Sequence, residues 1–169
     1  MKKQIKKVLE QLLGFEFTRT RRTACTECLH FGTLFRKDHK GIERQVGEFG
    51  IHLQCPWRIT KGNGMIVGSD DVWEQPDENA DYDENFNWDV QGGNLRDVRM
   101  AAFFNSGKYV VQSVKVDDFG GFELSFNDNV KLTVFPASSN RNFFSEYWRL
   151  LDNRDENKKH FVVTPLGID

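Results

Sequence analysis

The sequence contains no stretch that approaches the roughly 18–20 consecutive apolar residues of a transmembrane helix. Its first residues include Lys2, Lys3, Lys6 and Lys7. No uninterrupted apolar run follows these lysines, and a secretory signal peptide needs such a run. These absences predict a soluble, cytoplasmic protein with no membrane partner.

Cysteine is also scarce, with three residues in 169. Three cysteines cannot all pair, and a chain of this length can bury a stable core without disulfides, which favours a reducing compartment. The spacings Cys25-x-x-Cys28-x-His30 and His52-x-x-Cys55 contain zinc-type ligands. In a strand, however, residues an odd number apart project to opposite faces. We therefore predict no metal site and three ordinary thiols.

An excess of charge of one sign is missing, because the net charge is −2 and the pI is near 6.1. The whole molecule therefore has no electrostatic basis for binding DNA or an anionic membrane. The sequence also lacks the glycine-rich phosphate-binding motifs and the Gly-x-Ser-x-Gly setting of a nucleophilic serine. We predict no catalytic residue, no cofactor and no direct contact with nucleic acid.

The N-terminal segment has the residue spacing of an amphipathic helix. Its apolar residues recur at helical intervals, and they are Ile5, Val8, Leu9, Leu12 and Leu13. Gly14 supplies a C-terminal stop. We predict a helix over residues 1–14 that packs on a sheet, and a basic helix on a membrane surface is the alternative.

Residues 15–68 are predicted to form the first strands of that sheet. The clearest strand is Phe49–Ile59, where apolar and polar residues alternate strictly. Pro56 has no N–H group to donate, which places the strand at an edge or at a bulge. His52, Gln54 and Arg58 share its polar face. That face is interpreted either as a solvated surface or as a ligand-binding face.

Residues 69–92, here called the acidic excursion, contain nine Asp or Glu residues and no Lys or Arg. Aromatic side chains between carboxylates are typical of an interface that attracts a basic partner. The alternative is an ordinary solvated loop, and the spacing of the carboxylates does not match a twelve-residue calcium loop. The predicted partner-binding residues are Asp70, Asp71, Trp73, Glu74, Asp77, Glu78, Asp81, Tyr82, Asp83, Glu84 and Trp88.

The remaining sequence predicts a short helix and a β-meander. Asn94 is a candidate N-cap for a helix over residues 93–105, in which Leu95, Val98, Ala101 and Ala102 recur at helical spacing. Residues 109–164 alternate apolar and polar positions between Asn, Asp and Gly turns. Together the elements predict one α+β domain over residues 1–169. We expect its sheet to be mainly antiparallel and strongly curved or partly barrel-like.

Several motifs are similar to those of known bacterial families. The run HLQCPWRI at residues 52–59, IVGSDD at residues 66–71, and LTVFP at residues 132–136 followed by YWRL at residues 147–150 resemble a family of small uncharacterised bacterial proteins. The late strand–turn–strand pattern also resembles β-rich immunity proteins of bacterial toxin systems. The first resemblance implies no activity, and the second implies a protein that binds a toxin.

Three functional hypotheses follow from these observations. The first is an intracellular immunity-type module that neutralises a cognate toxin, with a basic toxin domain as the expected partner, by occluding its surface with the acidic excursion. The second is a small-ligand-binding protein or an enzyme that uses the face of His52, Gln54 and Arg58. The third is a housekeeping domain that binds another protein partner. The sequence does not specify the oligomeric state.

Overall fold

A computed structural model describes residues 1–37, 39–140, 145–155 and 157–169. Within them the helices are α1 (Lys2–Leu9) and α2 (Leu95–Ser106), with 3-10 turns at Glu10–Leu12 and Ser69–Trp73. The strands are β1 (Glu16–Thr23), β2 (Thr26–Phe31), β3 (Leu34–Lys37), β4 (Glu43–Val46), β5 (Phe49–Leu53), β6 (Trp57–Lys61), β7 (Gly64–Gly68), β8 (Tyr109–Val116), β9 (Phe122–Phe126), β10 (Val130–Val134), β11 (Trp148–Asp152), β12 (Phe161–Thr164) and β13 (Gly167–Ile168).

The described strands form a curved, antiparallel sheet and a separate hairpin. The sheet order is β13-β12-β11-β5-β2-β1-β8-β9-β10-β6-β7, and the hairpin is β3-β4. The strands of the meander β8-β9-β10 are neighbours in this order, as their short turns require. The predicted α+β class with a mainly antiparallel, curved sheet is confirmed.

Helix α1 packs its apolar stripe on the sheet. Ile5, Leu9 and Leu12 are fully buried and Val8 is partly buried, as the helical spacing predicts. Leu13, which was predicted on the same face, is exposed because it lies beyond the end of the helical turn. The α-helical part ends at Leu9, and a 3-10 turn carries the chain to Leu12. Gly14 has a φ of +81°, a left-handed conformation that glycine adopts without a steric penalty, so it ends the element. No helix in the described ranges combines the length and the apolar character that crossing a membrane requires.

The prediction of one strand over Phe49–Ile59 is wrong, because the structure divides it into β5 and β6. β5 pairs with β2 and β11, whereas β6 pairs with β10 and β7. At the break, the Gln54 N–H donates to the Tyr147 carbonyl (2.9 Å), and the Pro56 carbonyl accepts from the Phe135 N–H (3.0 Å). The alternation persists through the break, because period two reports which side chains face the core and not which strands pair.

Helix α2 begins after the predicted N-cap, and the Asn94 side chain accepts a hydrogen bond from the Asp97 N–H at 2.9 Å. Its buried residues are Leu95, Arg96, Met100 and Phe103. The predicted apolar spacing through Val98, Ala101 and Ala102 does not mark the buried face, because these three residues are exposed. Arg96 instead points inward, where its guanidinium donates to the buried carboxylate of Glu27.

Candidate functional site

The acidic excursion begins with a short capped turn at the end of β7. The Gly68 N–H donates to Asp71 Oδ2 at 3.0 Å, which holds the 3-10 turn Ser69–Trp73. After Trp73 the chain forms turns without a strand as far as Asn94. The excursion is therefore irregular, and side chains rather than a strand ladder must hold it.

Gln75 holds the middle of the excursion. Its Nε2 donates to the carbonyls of Ala80 and Asp81, both at 3.0 Å, and its Oε1 accepts from the Asp83 N–H at 3.1 Å. One amide side chain thus supplies hydrogen bonds to backbone groups on both sides of a turn. In a helix or a sheet, other backbone groups would supply those bonds. The sequence reasoning did not identify Gln75, since a lone glutamine in a polar loop carries no distinguishing pattern.

Arg22 of β1 fastens the end of the excursion to the sheet. Its guanidinium donates to the carbonyls of Trp88 (3.0 Å) and Val90 (2.9 Å) and pairs with Asp89 (3.2 Å). Nε also lies 3.2 Å from both carboxylate oxygens of Asp97. The side chain is only 2% exposed, so these partners replace its water shell almost completely.

Arg96 continues the network into the core. It donates to Asp97 Oδ1 at 2.9 Å, to Thr20 Oγ1 at 2.8 Å and through two nitrogens to Glu27. The side chains of Arg96 and Glu27 are 6% and 3% exposed. Burial raises the pKa of Glu27, and the charge and hydrogen bonds of Arg96 oppose that rise. This buried ion pair joins α2 to β2.

Asp97 joins the two arginines. Burial alone raises the pKa of its carboxyl, but hydrogen bonds from Arg22, the Gly92 N–H and Arg96 together hold the pKa below its ordinary value. The carboxylate is therefore ionised at neutral pH. It binds β1, α2 and the end of the acidic excursion at one point.

A second contact ties the start of the acidic excursion to α2. Arg99 lies 2.7 Å from Glu78 and 3.4 Å from Asp71. The hydrogen bond with Glu78 raises the pKa of Arg99 further above its ordinary value. The excursion is thus attached to the folded core at both ends and internally held at Gln75.

The structure separates the predicted partner-binding residues into two groups. Asp71, Glu78 and Trp88 make internal contacts, and Trp88 is half-buried against Trp73 with ring centroids 4.6 Å apart. Trp73 and Tyr82 are 49% and 79% exposed. The remaining acidic side chains are exposed and make no salt bridge with a Lys or Arg among the described residues; they are Asp70, Glu74, Asp77, Asp81, Asp83 and Glu84.

The exposed aromatic residues border a concave surface. An open depression of about 470 Å³ is lined by Trp73, Tyr82 and Glu74 together with Phe86 and Arg99. Carboxylates of the acidic excursion surround it. Such a surface can receive a cationic side chain, which is attracted both by the carboxylates and by the faces of the aromatic rings.

The structure does not gather His52, Gln54 and Arg58 on one strand. His52 is half-buried in β5 beside Arg149, Gln54 lies in the break, and Arg58 belongs to β6. The Arg58 guanidinium lies 5.7 Å from the centroid of the Phe135 ring. The three residues therefore do not share one strand, and a ligand-binding role for them stays a prediction.

The cysteines are distributed over different environments. Cys25 is exposed in the turn between β1 and β2, Cys28 is half-buried, and Cys55 is buried. Burial raises the pKa of Cys55 to about 12, which keeps it a neutral thiol. Across the described ranges, no three His, Cys, Asp or Glu side chains group as metal ligands would.

His30 lies on the outer face of β2, and its environment lowers its pKa. Its Nδ1 accepts from the Gly47 N–H at 3.2 Å, so Nε2 carries the hydrogen, and Nε2 is buried without a hydrogen-bond partner in the described residues. The pKa of His30 is lowered to about 4, mainly by burial and further by the positive charges of Arg19, His52 and Arg21.

We expect His30 to make the protein less stable as the pH falls from about 6.5 to about 4. In that range the unfolded imidazole binds a proton and the folded one does not, so the free energy of unfolding decreases. His30→Gln keeps an acceptor for Gly47 but cannot titrate, and its urea-unfolding midpoint should decline less over this range. The control, His160→Gln, alters an exposed imidazole and should retain the wild-type decline. Parallel pH profiles for wild type and His30→Gln would contradict the assignment.

No family model, no characterised protein and no solved structure matched the chain in comparisons with known proteins. The candidate site is therefore defined by the geometry of this molecule alone.

Proposed function

We propose that this protein is a cytoplasmic protein-binding module of the immunity type, which neutralises a cognate bacterial toxin by covering its basic surface. The observation that carries the proposal is the acidic depression between Trp73 and Tyr82. Large aromatic side chains supply most of the binding energy in typical interfaces, and surrounding charges of one sign steer a partner of the opposite sign.

The attachment of the acidic excursion to the core supports the same proposal. A segment that is already ordered loses less conformational entropy when a partner binds than a disordered one does. Arg22, Arg99 and Gln75 hold the backbone of the excursion, while the exposed carboxylates remain available to a basic surface. The backbone of the acidic excursion is thus preorganised, while several of its carboxylates make no salt bridge among the described residues. An ordinary solvated loop needs neither property.

The test is a set of charge reversals in the acidic excursion. Glu74, Asp81 and Glu84 are exposed, and their side chains cap no backbone N–H group. We expect the triple change of these residues to Lys to weaken binding to the cognate toxin domain by about tenfold or more. Most of the loss should appear as slower association, with reduced salt dependence. Titration calorimetry and stopped-flow fluorescence measure these quantities, and survival of toxin-expressing cells reports the biological effect.

A matched control carries the same three changes elsewhere. Glu43, Asp118 and Asp169 are acidic residues outside the excursion, in the β3-β4 hairpin, the β8-β9 turn and the C-terminus. Their change to Lys alters the net charge of the chain equally, and the control should bind and protect as the wild type does. Equal binding by the excursion variant and the wild type would refute the proposed interface, as would equal losses in both variants.

A further inference from the structure

Strand β1 has one edge that the sheet leaves largely unpaired. β1 pairs with β2 from Phe17 to Thr23, but with β8 only through Glu16 and Phe17. In an antiparallel ladder, alternate residues direct their N–H and C=O groups to each side of the strand. The side of residues 18–23 that faces away from β2 therefore presents backbone groups that no strand among the described residues pairs.

Helix α2 lies beside this edge and leaves a groove between the two elements. The groove has a volume of about 680 Å³, and its helical wall is formed by Asp97, Met100, Ala101 and Phe104. These positions lie on one face of α2, at helical spacing. Ala101 is exposed and small, which leaves room beside the backbone of β1.

The two ends of the groove are closed by contacts already present. At one end Arg22 bridges to Asp97, and at the other the rings of Phe17 and Phe104 meet at a centroid distance of 4.9 Å. The open stretch thus extends over residues 18–21. A fixed sheet edge beside a helix is an arrangement to which an extended peptide can add as a further strand.

The charge along this edge is positive. Arg22 and Arg96 are neutralised by Asp89, Asp97 and Glu27. Arg19 and Arg21 are exposed and make no salt bridge with a carboxylate in the described part of the chain. The Arg19 guanidinium donates to the Gln45 carbonyl at 3.3 Å. The two guanidiniums project from the outer face of β1 and favour acidic side chains on an added strand.

We propose that this groove binds an extended acidic segment of a partner protein, which adds as a strand to residues 18–21 of β1. Side chains of such a segment alternate between the two faces. Acidic side chains meet Arg19 and Arg21, and the intervening apolar side chains lie over Met100, Ala101 and Phe104. This groove adjoins the C-terminal end of the acidic excursion, since Gln91 and Gly92 also line it, but it favours a partner of the opposite charge.

The probe is an N-acetylated, C-amidated hexapeptide of alternating Glu and Val, titrated into the ¹⁵N-labelled full chain. We expect amide shifts confined to residues 18–23 and 97–104. Ala101→Trp fills the groove and should weaken binding at least tenfold. Ala102→Trp places the same ring one position away, outside the groove, and should leave the affinity unchanged. Thermal melts of both variants check that they are folded.

Two further measurements test the strand pairing and the charge. The double change Arg19→Glu and Arg21→Glu leaves the groove intact, so it tests the proposal even if Ala101→Trp does not fold; it should also weaken binding at least tenfold. A peptide with Lys in place of Glu, or with methyl groups on the backbone nitrogens that face β1, should not bind. The absence of binding, shifts elsewhere, or equal binding by the Lys peptide would overturn the proposal. Dimerisation of the chain through this edge would also overturn it, and sedimentation detects that outcome.

Discussion

Replacing Glu27 with alanine should lower the free energy of unfolding by about 3–5 kcal/mol, because it leaves the buried Arg96 guanidinium without its carboxylate. Arg96 is almost fully buried and directs two nitrogens to Glu27. Water cannot replace this partner without opening the packing between α2 and the sheet. Urea unfolding at neutral pH measures the loss.

The double change Glu27→Leu and Arg96→Met provides the control. It removes both charges together and fills the space with apolar atoms, so it should recover most of the stability that Glu27→Ala loses. If the single change costs less than about 1 kcal/mol, Glu27 and Arg96 do not form a buried ion pair. If the double variant is no more stable than the single one, the loss does not come from the unpaired charge of Arg96.

Replacing Arg22 with methionine should cost about 3 kcal/mol or more and release the end of the acidic excursion. The change leaves the carbonyls of Trp88 and Val90 without their donor and removes the partner of Asp89. Amide hydrogen exchange of residues 86–94 should therefore accelerate about tenfold for each 1.4 kcal/mol by which local opening becomes easier. Mass-spectrometric exchange of the intact chain measures this effect peptide by peptide.

Arg21→Met is the matched control, because Arg21 is the exposed neighbour of Arg22 in the same strand. A surface substitution of this kind should change the free energy of unfolding by no more than about 0.5 kcal/mol, with normal exchange in residues 86–94. Similar results for the two variants would mean that Arg22 does not fasten the excursion. Reduced stability of Arg22→Met with normal exchange there would assign the residue to the sheet alone.

One network of charged side chains both stabilises the fold and holds the proposed interface in place. Arg22, Asp97 and Arg96 connect β1, α2 and the acidic excursion. A fold that places a charged, irregular segment on its surface must offset the repulsion between its carboxylates. Here the buried Arg22 binds two backbone carbonyls and Asp89 at the end of the excursion, and Arg99 pairs with Asp71 and Glu78, which leaves the outer carboxylates exposed.

Local features of the structure were readable in the sequence. The stripe of α1, the stop at Gly14 and the cap at Asn94 each depend on residues within one or two turns. The turns of the β8-β9-β10 meander likewise depend on neighbouring residues. Patterns of this kind report the conformation of a short segment and the side that it buries, because those properties arise from contacts within the segment.

The acidic excursion was recognisable from composition, but its internal contacts were not. The interleaved aromatic residues looked equivalent in the sequence, whereas Trp73 is exposed and Trp88 is held beneath it by packing and by the Arg22 and Asn94 hydrogen bonds to its carbonyl. Glu78 and Asp71 resembled their neighbours until Arg99 of α2 approached them. Which carboxylates remain unpaired depends on a helix that lies later in the chain.

The sequence by itself determined the α+β class, the position of the main turns and the alternating faces of β9 and β10. Only the tertiary structure decided that Phe49–Ile59 supplies two strands with different partners, and that Arg22 and Arg96 lie buried. The physical reason is distance along the chain. A buried arginine is stable only where a carboxylate meets it, and the carboxylates of Asp97 and Glu27 come from 75 and 69 residues away.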